Sequence, residues 1–155
     1  MIVVDTNITA YLYFDTKRTE LAHAVYRKDR DWIAPVLWRH EFLNILVMNA
    51  REKGLSMNQA LFIWEEALAK FSGYEIYADA EETLKVALSN KITAYDAEFI
   101  VLARQKSVLC VTEDKELLSK FPGAAISMEK FLEPGGHVVQ EAKAQYRTRR
   151  KEKAG

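Results

Sequence analysis

The chain has 155 residues, 49% hydrophobic and 28% charged, an ordinary globular composition that amounts to one domain and excludes a disordered or fibrous protein. At this length folding buries about two-thirds of the unfolded chain's surface, and the single cysteine, Cys110, excludes a disulfide framework. The formal net charge is zero, yet residues 141–155 carry six basic against two acidic side chains, +4, leaving −4 for residues 1–140. That balance neither demands nor forbids a nucleic-acid partner, because a bound cation inverts the field of an acidic site and a basic tail attracts phosphates.

The chain opens on the β-branched run Ile2-Val3-Val4, a predicted short strand ending at Asp5. Helical segments are predicted through Ala10–Phe14 and from about Thr19 to Arg30, then a second strand over Trp32–Ala34 ahead of Pro35. Trp38 to Lys53 reads as a long helix stopped by Gly54, and Ser56 caps another from Met57 to Phe71. Glu75–Tyr77 is a candidate short strand and Ala80–Ser89 a helix. Thr93-Ala-Tyr-Asp96 has the form of a capping box before a helix reaching Lys106. Ser107–Thr112 is a predicted strand in which Cys110 is a buried, inert thiol. A short helix over Glu116–Lys120, a strand over Ala124–Ser127, a last turn over Met128–Leu132 and a stop at Pro134-Gly135-Gly136 complete the domain.

Short apolar strands separated by helices predict an α/β fold, a three-layer αβα sandwich around a central, mainly parallel sheet. The domain is expected to span residues 1–133, with residues 134–155 a basic C-terminal tail, flexible or helical. There is no basic leader before an apolar run, and the richest apolar stretch, Phe42–Ala50, falls short of the about 20 residues of a spanning helix. A cytoplasmic protein without a membrane partner is expected.

In parallel α/β sheets ligands bind beyond the carboxyl ends of the strands, where strand order reverses. Asp5 ends the first strand and Asp114 follows the strand at 107–112, so both belong to that edge. Glu41 lies in the first turns of its helix with Leu37, Trp38, Ile45 and Met48 at the i±3/4 and i+7 positions, and Asp96 lies among Ile92, Phe99, Ile100 and Ala103. A carboxylate on an apolar stripe costs several kcal/mol unless paired or bound to a cation, and neither helix offers Lys or Arg at i±3/4. Four oxygen donors without a thiol or a histidine cluster suit Mg²⁺ or Mn²⁺, an arrangement fitted to phosphodiester hydrolysis. A simpler reading stays open beside this one: Asp5 and Asp114 can each cap the helix that follows and Asp96 can complete a capping box with Thr93, whereas Glu41 has no capping duty. His40 reads as a helix-surface or partly buried histidine.

These residues resemble the PIN-domain ribonucleases, and among them the VapC-type toxins of toxin–antitoxin pairs. Ile2-Val-Val-Asp-Thr-Asn7 resembles the family's opening strand, and Pro35–Leu46 its Glu-bearing helix. Thr93-Ala-Tyr-Asp-Ala97 resembles the third acidic motif, and Leu109-Cys-Val-Thr-Glu-Asp-Lys-Glu-Leu117 the final strand with its Thr-x-Asp turn. The resemblance, which covers residues 1–133, implies a metal-dependent endoribonuclease acting on single-stranded RNA. The implied metal-binding and catalytic acids are Asp5, Glu41, Asp96 and Asp114, with Asn7, Thr112 and Glu116 in support; many members carry Asp where Glu116 stands. It also implies a small antitoxin partner. A homodimer is expected from Leu61, Phe62, Trp64 and Leu68, more apolar surface than one helix face buries internally. A housekeeping RNA-processing nuclease and a catalytically silent RNA- or protein-binding module are the competing readings. An acidic set retained in full argues against the silent module.

Overall fold

A computed structural model describes residues 1–71 and 75–136. Of the expected tail, residues 137–155 lie outside the described residues. The elements follow one another as β1 (Ile2–Val4), α1 (Thr6–Tyr11), α2 (Thr19–Lys28), β2 (Trp32–Pro35), α3 (Trp38–Lys53), α4 (Met57–Phe71), β3 (Glu75–Ile76), α5 (Ala80–Asn90), α6 (Ala94–Lys106), β4 (Cys110–Val111), α7 (Lys115–Lys120), β5 (Ala125–Ile126) and α8 (Met128–Leu132). The five strands form one all-parallel sheet in the order β3-β2-β1-β4-β5.

Alternation along β1 divides the molecule into layers. Ile2 and Val4 face one core, shared with Ala22 and Val25 of α2, Trp38 and Phe42 of α3, Phe71 of α4 and Met128 of α8. Val3 faces the other, with Val86 of α5, Phe99 and Ile100 of α6 and Leu117 of α7. A strand buried on both faces explains the unbroken apolar run, and the arrangement is the expected αβα sandwich. No helix among the described residues is long and apolar enough to cross a membrane.

Local signals account for most boundaries. Gly54 ends α3 with φ at 71°, a left-handed conformation that costs glycine little. Ser56 and Gln59 form a reciprocal capping box at the start of α4. Cys110 is fully buried, and burial pushes its thiol well up, as an inert core residue requires.

Several boundaries differ from expectation. The first helix begins at Thr6, directly after Asp5, and ends at Tyr11, because the Asp5 side chain caps it and starts it earlier than its apolar pattern suggests. Strand β4 is confined to Cys110–Val111, since Ser107 takes the left-handed C-cap of α6 and spends the preceding residues on closing that helix. Strand β5 starts at Ala125 because the backbone turns through residues 122–124. Trp64 and Leu68 are not surplus surface: Trp64 stacks on Trp38 with centroids 5.9 Å apart, and Leu68 packs against the core. Leu61 and Phe62 do remain exposed.

Candidate active site at the carboxyl edge of the sheet

The strand order reverses between β1 and β4, and the crevice beyond their carboxyl ends is where the acids stand. Asp5 follows β1, its amide donating to the Val111 carbonyl of β4 at 3.1 Å. Its carboxylate caps α1 through Asn7 N–H to Oδ1 at 3.3 Å, and Oδ2 accepts the Thr112 hydroxyl at 2.6 Å. That same hydroxyl accepts the Asp114 amide at 3.0 Å, while Asp114 Oδ1 caps α7 by accepting the Leu117 amide at 2.9 Å. Fully buried Thr112 thus joins the two strand-end acids.

Helices supply the other two. Glu41 is half-buried in the first turn of α3, its Oε2 accepting the hydroxyl of buried Thr6. Asp96 is half-buried at the start of α6, where Thr93 donates its hydroxyl to Oδ2 at 2.6 Å and accepts the Asp96 amide at 3.1 Å. Asp5 and Asp114 therefore cap helices from the crevice edge, whereas the cap of α6 is Thr93 and Asp96 only accepts its hydroxyl. The apolar stripe beside Glu41 is narrower than the sequence suggests: Trp38, Phe42 and Leu46 are buried, whereas Met48 is 42% exposed.

Electrostatics mark these acids as a group. Burial pushes the Asp5 carboxyl above its ordinary value; the Thr112 and Asn7 hydrogen bonds pull it down, and the charges of Asp114 and Asp96 push it further up. Burial likewise raises Glu41, opposed by the Thr6 hydroxyl and reinforced by Asp5, Asp96 and Glu98. The ion pairs of the described residues involve other acids, among them Glu75, Glu113 and Glu116. Each of Asp5, Glu41 and Asp96 is held instead by one threonine hydroxyl, and among the described residues no three His, Cys, Asp or Glu converge closely enough to hold an ion as they stand. The donor chemistry, carboxylate oxygen throughout, fits a hard divalent cation and not zinc.

The supporting residues divide. Thr112 occupies the centre of the site. Asn7 is exposed and contributes its backbone N–H. Glu116 is turned to Lys120 one helical turn on, at 2.5 Å. His40 is exposed and lines, with Leu37, Glu41 and Tyr95, a pocket of about 350 Å³.

Sequence reasoning missed Thr6, Glu98, Arg18 and Glu113. Arg18 pairs with Glu113, whose other oxygen accepts the Met128 amide at 2.9 Å, tying the loop that carries Thr112 and Asp114 to the starts of α2 and α8. Adjacency to Asp5 could have flagged Thr6; nothing local links residues 18 and 113.

The PIN domain family model matches residues 2–123. The chain is 29% identical over 124 residues to Ribonuclease VapC3 of Pyrobaculum aerophilum, which covers 78% of this chain and 95% of that protein. It is 36% identical over 63 residues to Exonuclease VapC9 of the same organism, 39% of this chain and 47% of that one. Among solved structures, PAE2754 from Pyrobaculum aerophilum is similar with a TM-score of 0.66 and 27% identity, over 84% of this chain and 85% of that one. FitAcB from Neisseria gonorrhoeae shares the fold with a TM-score of 0.64 and 17% identity, over 83% and 99%.

Proposed function

The chain belongs to the PIN-domain family, and on that footing we propose that it is a metal-dependent endoribonuclease hydrolysing RNA phosphodiester bonds, the toxin of a type II toxin–antitoxin pair. The observation that carries this reading is the Asp5–Thr112–Asp114 chain at the strand-order reversal, with Glu41 and Asp96 within electrostatic reach of Asp5. The ribonuclease to which most of the chain is similar supports it.

In this reading Asp5, Glu41, Asp96 and Asp114 hold Mg²⁺ or Mn²⁺. When bound, such an ion lowers the pKa of water and offsets charge developing on phosphate oxygens. The protein's own contribution is placement. Thr112 fixes the Asp5 carboxylate and the backbone ahead of α7, Thr6 fixes Glu41, and Thr93 fixes Asp96. With Oε2 accepting from Thr6, Glu41 keeps Oε1 free to face an ion. No side chain is needed as nucleophile.

The nuclease domain is assigned to residues 1–133, and residues 134–155 add phosphate attraction without base preference. The protein works in the cytoplasm, pairs with a second copy through a surface including Leu61 and Phe62 of α4, and is restrained by a small antitoxin protein.

A circular single-stranded RNA tests the reading, because it offers no end. Opening of the circle in Mn²⁺ by the wild type and not by Asp96→Asn is expected. Digestion of a linear control with the circle left intact would make the protein an exonuclease, and cleavage of neither would overturn the nuclease reading.

A further inference from the structure

Beside the acid crevice lies a pocket that neither metal ligation nor core packing accounts for. Leu37, which caps α3, His40 and Glu41 from its first turn and Tyr95 from the start of α6 line an open pocket of about 350 Å³. Tyr95 leaves 67% of its surface in water, an expensive place for a ring that packs no core. Glu41 belongs to the pocket and to the acid group at once, so the pocket adjoins the carboxylates through that residue.

Resting on the nuclease reading above, we propose that this pocket is a subsite for one unpaired nucleobase of the RNA strand whose phosphodiester lies at the four carboxylates. The Tyr95 ring is the stacking face, Leu37 the apolar wall, and the His40 imidazole a hydrogen-bonding partner for the base edge. Charge selects this occupant. Among the described residues no Lys or Arg lines the pocket, and Glu41 places a carboxylate in its wall, so a phosphate meets a like charge there. The neutral, flat part of a nucleotide does fit: every base has a π-face, and bases stack on exposed aromatic rings in proteins that bind single strands. Base and phosphate of one strand are then read by adjacent features, the pocket fixing which residue of the RNA stands next to the carboxylates.

The experiment measures binding of single-stranded RNA oligonucleotides in Mg²⁺ to the Asp5→Asn protein, which keeps the strand uncut. Each oligonucleotide carries one abasic position, moved stepwise along the strand. One position is expected to be sensitive, its abasic form binding roughly 5- to 150-fold more weakly. Adding Tyr95→Ala should weaken intact RNA by a similar factor and abolish the sensitivity at that position, whereas Tyr95→Phe and Tyr95→Trp should preserve both. An affinity indifferent to Tyr95→Ala, or an equal loss for intact and abasic RNA, would overturn the subsite while leaving cleavage of the circular RNA by the wild type untouched. Absence of both RNA binding and wild-type cleavage would overturn the subsite and the nuclease reading together.

Discussion

Helix α3 presents two surfaces that could hardly differ more. On one, Trp38 and Phe42 enter an aromatic cluster in which the Trp38 ring lies 4.5 Å from Phe71, 5.6 Å from Phe42 and 5.9 Å from Trp64. The Trp38 indole N–H also donates to Glu75 at 2.6 Å, an acceptor that Arg39 shares. On the other, Glu41 is half-buried and repelled by Asp5, Asp96 and Glu98. The first surface is favourable in every contact; the second holds like charges together at a cost. A helix over-determined on its buried side can carry a repelled carboxylate on its neighbouring side without shifting, which is how rigid scaffolds sustain strained sites.

The comparison breaks most visibly if the acid side is neutralised. Asp5→Asn should abolish Mn²⁺-dependent RNA cleavage while leaving metal-free stability unchanged or raised, because asparagine still caps α1 and no longer repels its neighbours. Thermal melts should show Mn²⁺ protecting the wild type and not this variant. A variant that cuts RNA at the wild-type rate would remove Asp5 from the site. On the aromatic side the sign reverses. Trp38→Ala should cost about 3–5 kcal/mol of folding free energy, measured by urea unfolding, through the cavity left among Phe42, Trp64 and Phe71.

Smaller changes sharpen the contrast. Glu75→Gln keeps an acceptor for Trp38 but removes the charge facing Arg39, whose guanidinium is partly exposed and screened, so a loss of about 1 kcal/mol is expected. The pH profile of metal-free stability should separate the two surfaces by sign. Asp5 and Glu41 have folded-state values raised above the ordinary 3.8 and 4.5, so the folded protein holds protons longer than the unfolded chain there. Their contribution is most favourable below those ordinary values and declines as pH rises through the raised ones. Glu75 is lowered by Arg39 and Trp38; its contribution is present above 4.5 and lost as pH falls through the lowered value. Asp5→Asn should flatten the decline on the alkaline side, and Glu75→Gln the loss on the acid side. Identical profiles for both variants would contradict this assignment of signs.

What could be read from sequence follows the range over which each cause acts. Gly54, the Ser56 box and the Thr93 cap act within three or four residues and are found in place, although Asp96 accepts the Thr93 hydroxyl and not its amide. Strand β1 is legible as an unbroken β-branched run bounded by Asp5. Asp5 and Asp114 could be set at one sheet edge because a parallel topology puts every strand's carboxyl end there. The bonds that hold the site are different in kind. Thr6 to Glu41, Thr112 to Asp5 and Arg18 to Glu113 join residues 35, 107 and 95 positions apart, and no local pattern announces such a partner. Tyr95 is a further case: exposure of an aromatic ring next to a capping box becomes visible only when the pocket against α3 exists.

The order of the sheet also sets a timetable for synthesis. Strand β1 is made first and stands at the centre, so its edges wait for β2 on one side and for β4 on the other. At roughly 5–20 residues per second, about 5–20 s separate Asp5 from Asp114 as the chain leaves the ribosome. Through that interval the nascent protein has an open apolar edge and an unfinished crevice, and a chain terminated before Cys110 keeps both. Such fragments lack Asp114 and are prone to edge-to-edge association, which makes them natural targets for chaperones and proteases.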